Sequence, residues 1–193
     1  MSTVVDDRET GAATAQVKSS CDAGAADSAG SGAADGLAAG DDEFEFVSSV
    51  EAGLWKEVES LFYFHPRQHV LSGSIRESVD QFGPPEILRR GERIYVGIPQ
   101  RDAQCLFVCH RTRHPGVPVG VVLYLRTQAD LLRILHVVVG PIYGHGGQLA
   151  DRGLAARLVD EVRHVASRIG GVRRIALPYL RERYLSVVPH GAG

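Results

Sequence analysis

The chain has 193 residues, 44% of them hydrophobic, and carries 21 Lys and Arg against 23 Asp and Glu for a formal charge of −2. That is enough chain for one domain with a sizeable core, and no apolar run approaches the ~18 residues of a membrane-spanning helix. Three cysteines do not make a disulfide framework, so the expected setting is the reducing cytoplasm.

Composition divides the chain near residue 42. Residues 1–42 are mostly Ala, Gly, Ser and Asp, with no aromatic residue and eight acids against Arg8 and Lys18, a net −6. Such a segment cannot bury enough apolar surface to offset its ordering entropy, so a disordered acidic tail is expected. It lacks the basic and apolar regions of a secretory signal and is too acidic for a transit peptide. Residues 43–193 then carry +4 and form the expected single domain. Spread over 19 Lys and Arg without a run, that charge is too small to argue for non-specific nucleic-acid binding and suits a small anionic ligand; a nucleic-acid-binding subunit using the arginines of the 163–183 region is a third, weaker reading.

Within the domain, EFEFVSSV (Glu43–Val50) alternates as a short first strand. Ser48 with Glu51 has the form of a capping box, and Leu54, Trp55, Val58, Leu61 and Phe62 trace one helical face that closes at Pro66. A second box, Ser74 with Glu77, precedes Ile75, Val79 and Phe82 on a helix stopped by Gly83-Pro84-Pro85. The period then shortens. RIYVGIP, QCLFVCHR, VGVVLYLRT and LLRILHVVVG read as three or four consecutive antiparallel strands, with turns at RHPGVP (Arg113–Pro118) and TQAD (Thr127–Asp130).

The glycine-rich stretch GHGGQLADRGLAARL (Gly144–Leu158) follows. Asp151 is the expected N-cap of a helix whose apolar face is Leu154, Leu158, Val162, Val165 and Ile169, ended by Gly170-Gly171. GHGGQ reads as an extended connection. VRRIALPY (Val172–Tyr179) is a final strand, and LRERYL starts a last helical turn. Neither G-x-x-x-x-G-K-[ST] nor a G-x-G-x-x-G leading from strand to helix occurs, which excludes the Walker and dinucleotide loops.

The order of strand, two helices, antiparallel meander, glycine turn, long helix and strand, with LHVVVGPIY, ADRGLAARLVDEV and VRRIALPY, resembles the GCN5-related N-acetyltransferase (GNAT) superfamily. The resemblance implies an α/β (α+β type) fold, a mixed, mainly antiparallel central sheet flanked by helices, here with its C-terminal strands missing. It implies a fourth strand that ends at a bulge and a diphosphate loop of pattern (Arg/Gln)-x-x-Gly-x-(Gly/Ala). Ala150, Gly153 and Ala155 fill that pattern, with Ala150 departing from the usual Arg or Gln.

On this resemblance the co-substrate is acetyl-CoA or another acyl-CoA and the acceptor an amine on a small molecule or peptide. Arg152, Gly153, Leu154, Ala155 and Ala156 would hold the diphosphate, since a helix start offers free N–H groups and a positive dipole end. Backbone at Val137 and Val139 would take the pantetheine arm. The family's strand Glu is absent, which leaves His136 as the titratable residue for the base, and Tyr184 as the acid, ahead of Tyr179. Tyr143 and His145 flank the loop. The alternative is a non-catalytic GNAT-like interaction or assembly domain, with a second copy or a partner protein completing the sheet.

Cys105, Cys109, His110 and His114 are competent zinc ligands, but CLFVC places both cysteines on one face of a strand, where a small buried hydrophobe is the better role. His65 and His69 are separated by Pro66, which breaks the helix that would bring them together. No metal site is expected.

Overall fold

The computed structural model describes residues 43–64, 68–113, 115–178 and 183–189. The acidic segment 1–42 and the candidates His65, His114 and Tyr179 lie outside those residues. In chain order the elements are β1 (Phe44–Val47), β2 (Val50–Glu51), α1 (Trp55–Tyr63), α2 (Ser72–Phe82), β3 (Glu86–Arg90), β4 (Arg93–Gly97), β5 (Ala103–His110), β6 (Pro118–Gln128), β7 (Leu131–Val139), α3 (Leu154–Ser167), β8 (Arg174–Ala176) and β9 (Tyr184–Ser186). None of the described helices is long and apolar enough to cross a membrane.

Among the described residues there is a six-stranded sheet, ordered β1-β5-β6-β7-β8-β9, and a three-stranded sheet, β2-β4-β3. Every neighbouring pair is antiparallel except β7 with β8, which α3 joins as a crossover. The large sheet is therefore mixed and mainly antiparallel, with helices on both faces, as the resemblance implied.

Alternation along the central strands sorts the core into two layers. Cys105, Phe107 and Cys109 of β5 and Val121, Leu123 and Leu125 of β6 join Val58, Leu61 and Phe62 of α1 and Phe82 of α2. Val108, Val122, Tyr124, Leu132 and Ile134 join Leu154, Leu158, Val162 and Ala166 of α3 on the other side. Strands covered on both faces read as continuous apolar runs, which is why VGVVLYL shows no polar alternation. Burial of each such side chain stabilises the fold by ~1.5–3 kcal/mol.

Several local expectations give way to tertiary pairing. Ser48 is a bend, and Val50 and Glu51 pair with Ile94 and Arg93 of β4, so the Ser48–Glu51 box does not form. Helix α1 begins after Leu54 and has no side-chain cap. Likewise Ser74 lies inside α2, whose N-cap position is Leu71. RIYVGIP leaves the meander and pairs with EILRR, a strand that its polar residues had hidden, so the meander has three strands.

The expectations for the C-terminal segment are corrected. Tyr184 lies on a strand rather than a helical turn, and the sheet does not end at β8. Ala176, Ile175 and Arg174 pair with Tyr184, Leu185 and Ser186. Flanking bonds from Leu177 N–H to the Arg183 carbonyl and from Val187 N–H to the Arg173 carbonyl extend the ladder. The free edge of β8 takes up the backbone of YLS, and that outweighs the weak helical pattern of six residues.

Candidate functional site

The site is built on the way β7 leaves β8. Strand β7 pairs with β6 along its length, but with β8 only over Leu131, Leu132 and Arg133. Its register against β6 steps from Tyr124↔Ile134 to Leu123↔His136, so Leu135 is an extra residue, a β-bulge. A bulge bends and twists its strand. Among the described residues no strand lies beside the outer edge of Ile134–Val139, which includes the predicted Val137 and Val139, both half-buried. Backbone N–H and C=O groups on such an edge are ready to pair with an extended, amide-bearing chain.

A cavity of about 570 Å³ lies at this fork. One wall is a single face of α2, with Ser74, Glu77, Ser78 and Gln81 at helical spacing; the other is formed by Arg133, Ile134 and Leu135 with Leu177 beyond the end of β8. Arg133 enters it with its guanidinium carbon 5.9 Å from the centre of the Phe82 ring. Its Nε is buried and has no hydrogen-bond partner among the described residues. Neither Arg133 nor the α2 wall belonged to the sequence-based candidates, although a lone cation in the apolar run LLRILH was the signal that could have found it.

His136, the predicted base, lies just inside the bulge and is 8% exposed. The Phe62 ring meets it edge-on, with centroids 5.0 Å apart. His136 borders a separate small cavity that shares Ser78 and Leu135 with the fork. Tyr184 is half-exposed, with the Arg174 guanidinium 5.5 Å from its ring centre. The register Arg133↔Ala176↔Tyr184 sets Arg133 and Tyr184 in one row across three strands, on the same face of the sheet.

The predicted diphosphate loop stands elsewhere. Asp151 does not cap α3; Ala150, Asp151 and Arg152 form a 3-10 turn, and Gly153, at φ 57°, is the N-cap residue. Gly153 has this left-handed conformation because the chain must turn from the 3-10 turn into α3, and an added Cβ would meet nothing there within 4 Å. No side chain caps the N–H groups of Leu154, Ala155 and Ala156; Ala155 and Ala156 are exposed, whereas the Leu154 side chain is fully buried.

Arg152, however, is paired with Glu43 at 3.1 Å, at the start of β1. The other Glu43 oxygen lies 3.0 Å from Nε2 of the buried His110, whose Nδ1 accepts from the N–H groups of Thr112 and Arg113. That arrangement puts the His110 proton on Nε2, donating to Glu43. In the sheet order β1-β5-β6-β7 the Arg152–Glu43 pair stands three strand spacings, roughly 14 Å, from β7.

The connection between β7 and α3 is also compact rather than extended. Leu149 N–H bonds the Ile142 carbonyl at 2.7 Å, Gly147 N–H the Gly144 carbonyl at 2.8 Å and Tyr143 N–H the Gly140 carbonyl at 2.9 Å. A Cβ on Gly147 would sit 2.4 Å from the carbonyl oxygens of Pro141 and Ile142, so the turns close around it. Tyr143 is buried edge-on against Phe44, and burial raises its hydroxyl pKa; His145 is exposed. Both cysteines are buried in the α1-side layer, as their alternation predicted, and burial pushes each thiol up to about 11. Neither is an activated nucleophile.

No family model matches the chain, and no curated protein matches it. Among solved structures it is similar to an acetyltransferase from Streptococcus agalactiae 2603, with a TM-score of 0.41 and 13% identity over 70% of this chain and 72% of that one. It is also similar to a protein assigned to the GNAT-family acetyltransferases from Desulfovibrio desulfuricans, with TM-score 0.37 and 17% identity over 68% and 70%. A third is nourseothricin acetyltransferase, with TM-score 0.30 and 15% identity over 70% and 72%. The fold has the mixed, mainly antiparallel sheet and the element order that the sequence resemblance implied. Its own topology carries that statement: an antiparallel meander, a bulged strand, a helical crossover, and a parallel partner from which the bulged strand parts.

Proposed function

We propose that the domain transfers an acyl group, acetyl in the simplest case, from an acyl-CoA to an amine by direct attack on the thioester. The observation that carries this reading is the fork at Arg133, where the bulged edge of β7, unpaired among the described residues, opens onto a cavity of about 570 Å³. An acyl-CoA offers an amide-bearing arm suited to the backbone of Val137 and Val139. It also offers a diphosphate suited to Arg152 and the uncapped N–H groups of Leu154, Ala155 and Ala156, whereas the Gly153 N–H is held by the Ala150 carbonyl.

In the proposed reaction the acceptor nitrogen bonds to the thioester carbonyl carbon and the carbon–sulfur bond breaks. His136, just inside the bulge, takes the proton from the nitrogen, directly or through a water. Tyr184, on the Arg133 row, returns a proton to the departing thiolate. Excluding water from the half-buried edge protects the thioester from hydrolysis.

One observation favours a second reading, binding without turnover: Arg152 is already engaged by Glu43. Calorimetric titration of the full chain with acetyl-CoA and desulfo-CoA, followed by thiol release with an amine panel, separates the two. Thiol release that His136→Gln lowers, with acetyl-CoA affinity retained, supports the enzyme. Binding without release supports the second reading, and no binding up to roughly millimolar ligand (a free energy near −4 kcal/mol) ends both.

A further inference from the structure

The Arg133 guanidinium is the one feature of the fork that acyl transfer does not by itself require. It projects from β7 against the Phe82 ring, and its buried Nε finds no acceptor among the described residues. A buried charged donor is normally hydrogen-bonded, so an orphan of this kind points to a partner that arrives with a ligand. From the resemblance the acceptor is an amine, and nothing yet says what else it carries.

We propose that the acceptor is an amine that also bears a carboxylate, an amino-acid-type molecule whose carboxylate is held by Arg133. This rests on the acyl-transfer reading for the amine and on Arg133 for the carboxylate. Three observations lead to it. Among the described residues lining the cavity, Arg133 is the one cation, which matches a single negative charge better than a phosphate dianion. Once the side chain turns so that its buried Nε faces the cavity, the guanidinium can engage a carboxylate side-on, through Nε and a terminal nitrogen, as two parallel hydrogen bonds. Ser74, Ser78 and Gln81 on the facing wall of α2 add neutral hydrogen-bonding groups suited to the rest of a small polar molecule.

Distance along the strand limits the size of the acceptor. Arg133 stands two residues before the bulge at Leu135, about 7 Å at the usual rise of a strand. One small molecule can therefore reach Arg133 with its carboxylate and the open edge of β7 with its amine. The cavity thus offers one carboxylate a place beside Arg133.

The test uses the full chain without acyl-CoA, so that it reads binding and not transfer. The probes are pairs that differ only by the carboxylate: phenylalanine with phenethylamine, 4-aminobutyrate with propylamine, lysine with cadaverine, and a short peptide with its C-terminal amide. Affinities come from calorimetry or ligand-observed NMR. The carboxylate-bearing member of at least one pair is expected to bind about ten- to a hundredfold tighter, the size of a charge-assisted pair of bonds. Arg133→Gln should abolish that preference, while Arg133→Lys, which keeps the charge but loses the side-on geometry, should retain part of it. The Lys variant also covers the case in which the Gln variant fails to fold.

Equal affinities within every pair, a preference that survives Arg133→Gln, or no binding by any probe up to ~10 mM (a free energy below ~3 kcal/mol in size) would each overturn the assignment. A preference confined to the peptide pair assigns the carboxylate to a chain terminus, and one shared by the free amino acids assigns it to a small molecule. Acetyl-CoA titrated in parallel keeps the two ideas apart. Carboxylate preference without acetyl-CoA binding sinks acyl transfer alone, and the reverse result sinks the carboxylate alone.

Discussion

Replacing Glu43 by Gln asks whether Arg152 holds a diphosphate. Glu43 bridges two groups, with one oxygen 3.0 Å from His110 Nε2 and the other 3.1 Å from an Arg152 terminal nitrogen. A glutamine keeps an amide oxygen for the His110 N–H, so the β1–β5 end of the sheet retains that bond, but the negative charge is gone. The Arg152 and Glu43 side chains are 44% and 21% exposed, so the local dielectric is closer to that of water than of a core. Two unit charges about 5 Å apart at an effective dielectric near 60 interact by ~1 kcal/mol. That is also about what Glu43 costs a diphosphate arriving at Arg152, through competition and repulsion together. Glu43→Gln should therefore tighten acetyl-CoA binding about fivefold by calorimetry, and the gain should shrink as salt is raised. Arg152→Ala should weaken binding, and in that background Glu43→Gln should lose most of its benefit, since the two side chains act on each other. Stability should change by under ~1 kcal/mol. If Glu43→Gln leaves the affinity unchanged or lowers it while the fold is intact by circular dichroism, Arg152 is not a diphosphate ligand, and the start of α3 is only a structural turn.

Two further outcomes follow from packing and burial. Gly147→Ala should destabilise the domain by ~2–3 kcal/mol or prevent folding, because its Cβ meets two backbone oxygens at 2.4 Å. Gly153→Ala should cost only ~1–2 kcal/mol, the price of a left-handed alanine in open space; thermal denaturation showing equal losses would contradict the tight closure around Gly147. The second concerns pH. Cys105 and Cys109 are raised by burial from 9.0 to about 11, so the folded state holds their protons more strongly than the unfolded state. Their contribution is complete below about pH 9 and is lost as pH rises towards 11. Urea titrations across that window should show stability falling, with a smaller fall in the Cys105→Ala/Cys109→Ala variant; identical slopes would mean that the thiols are not the cause. At pH 8 both should react with a thiol reagent only after unfolding.

Much of this protein could be read from local pattern. The face of α3, the apolar strands of the meander, the stop at Gly83 and the buried role of the cysteines all follow from periods of 3.6 and 2, and those are properties of a few adjacent residues. Where the reading failed, a distant segment had claimed the backbone first. Val50 and Glu51 pair with β4 and so cannot open a helix at Ser48, and YLS pairs with β8 instead of coiling. EILRR became a strand because RIYVG lay beside it, which its own polar residues did not announce.

The candidate site divides in the same way. His136, Val137, Val139 and Gly153 were visible in the sequence because each stands at a recognisable place along a strand or a turn. Arg152 was visible too, but its partner is 109 residues away, and only the fold sets Glu43 against it. Arg133 was not among the sequence candidates; the parting of β7 from β8 places it in a cavity with an unsatisfied Nε. Local pattern sufficed for α3, for the apolar strands of the meander and for the residue types able to do acid, base or anion chemistry. Tertiary structure alone decided which edges pair, where β7 is left open and which charges meet, because those depend on segments far apart in the chain being brought side by side.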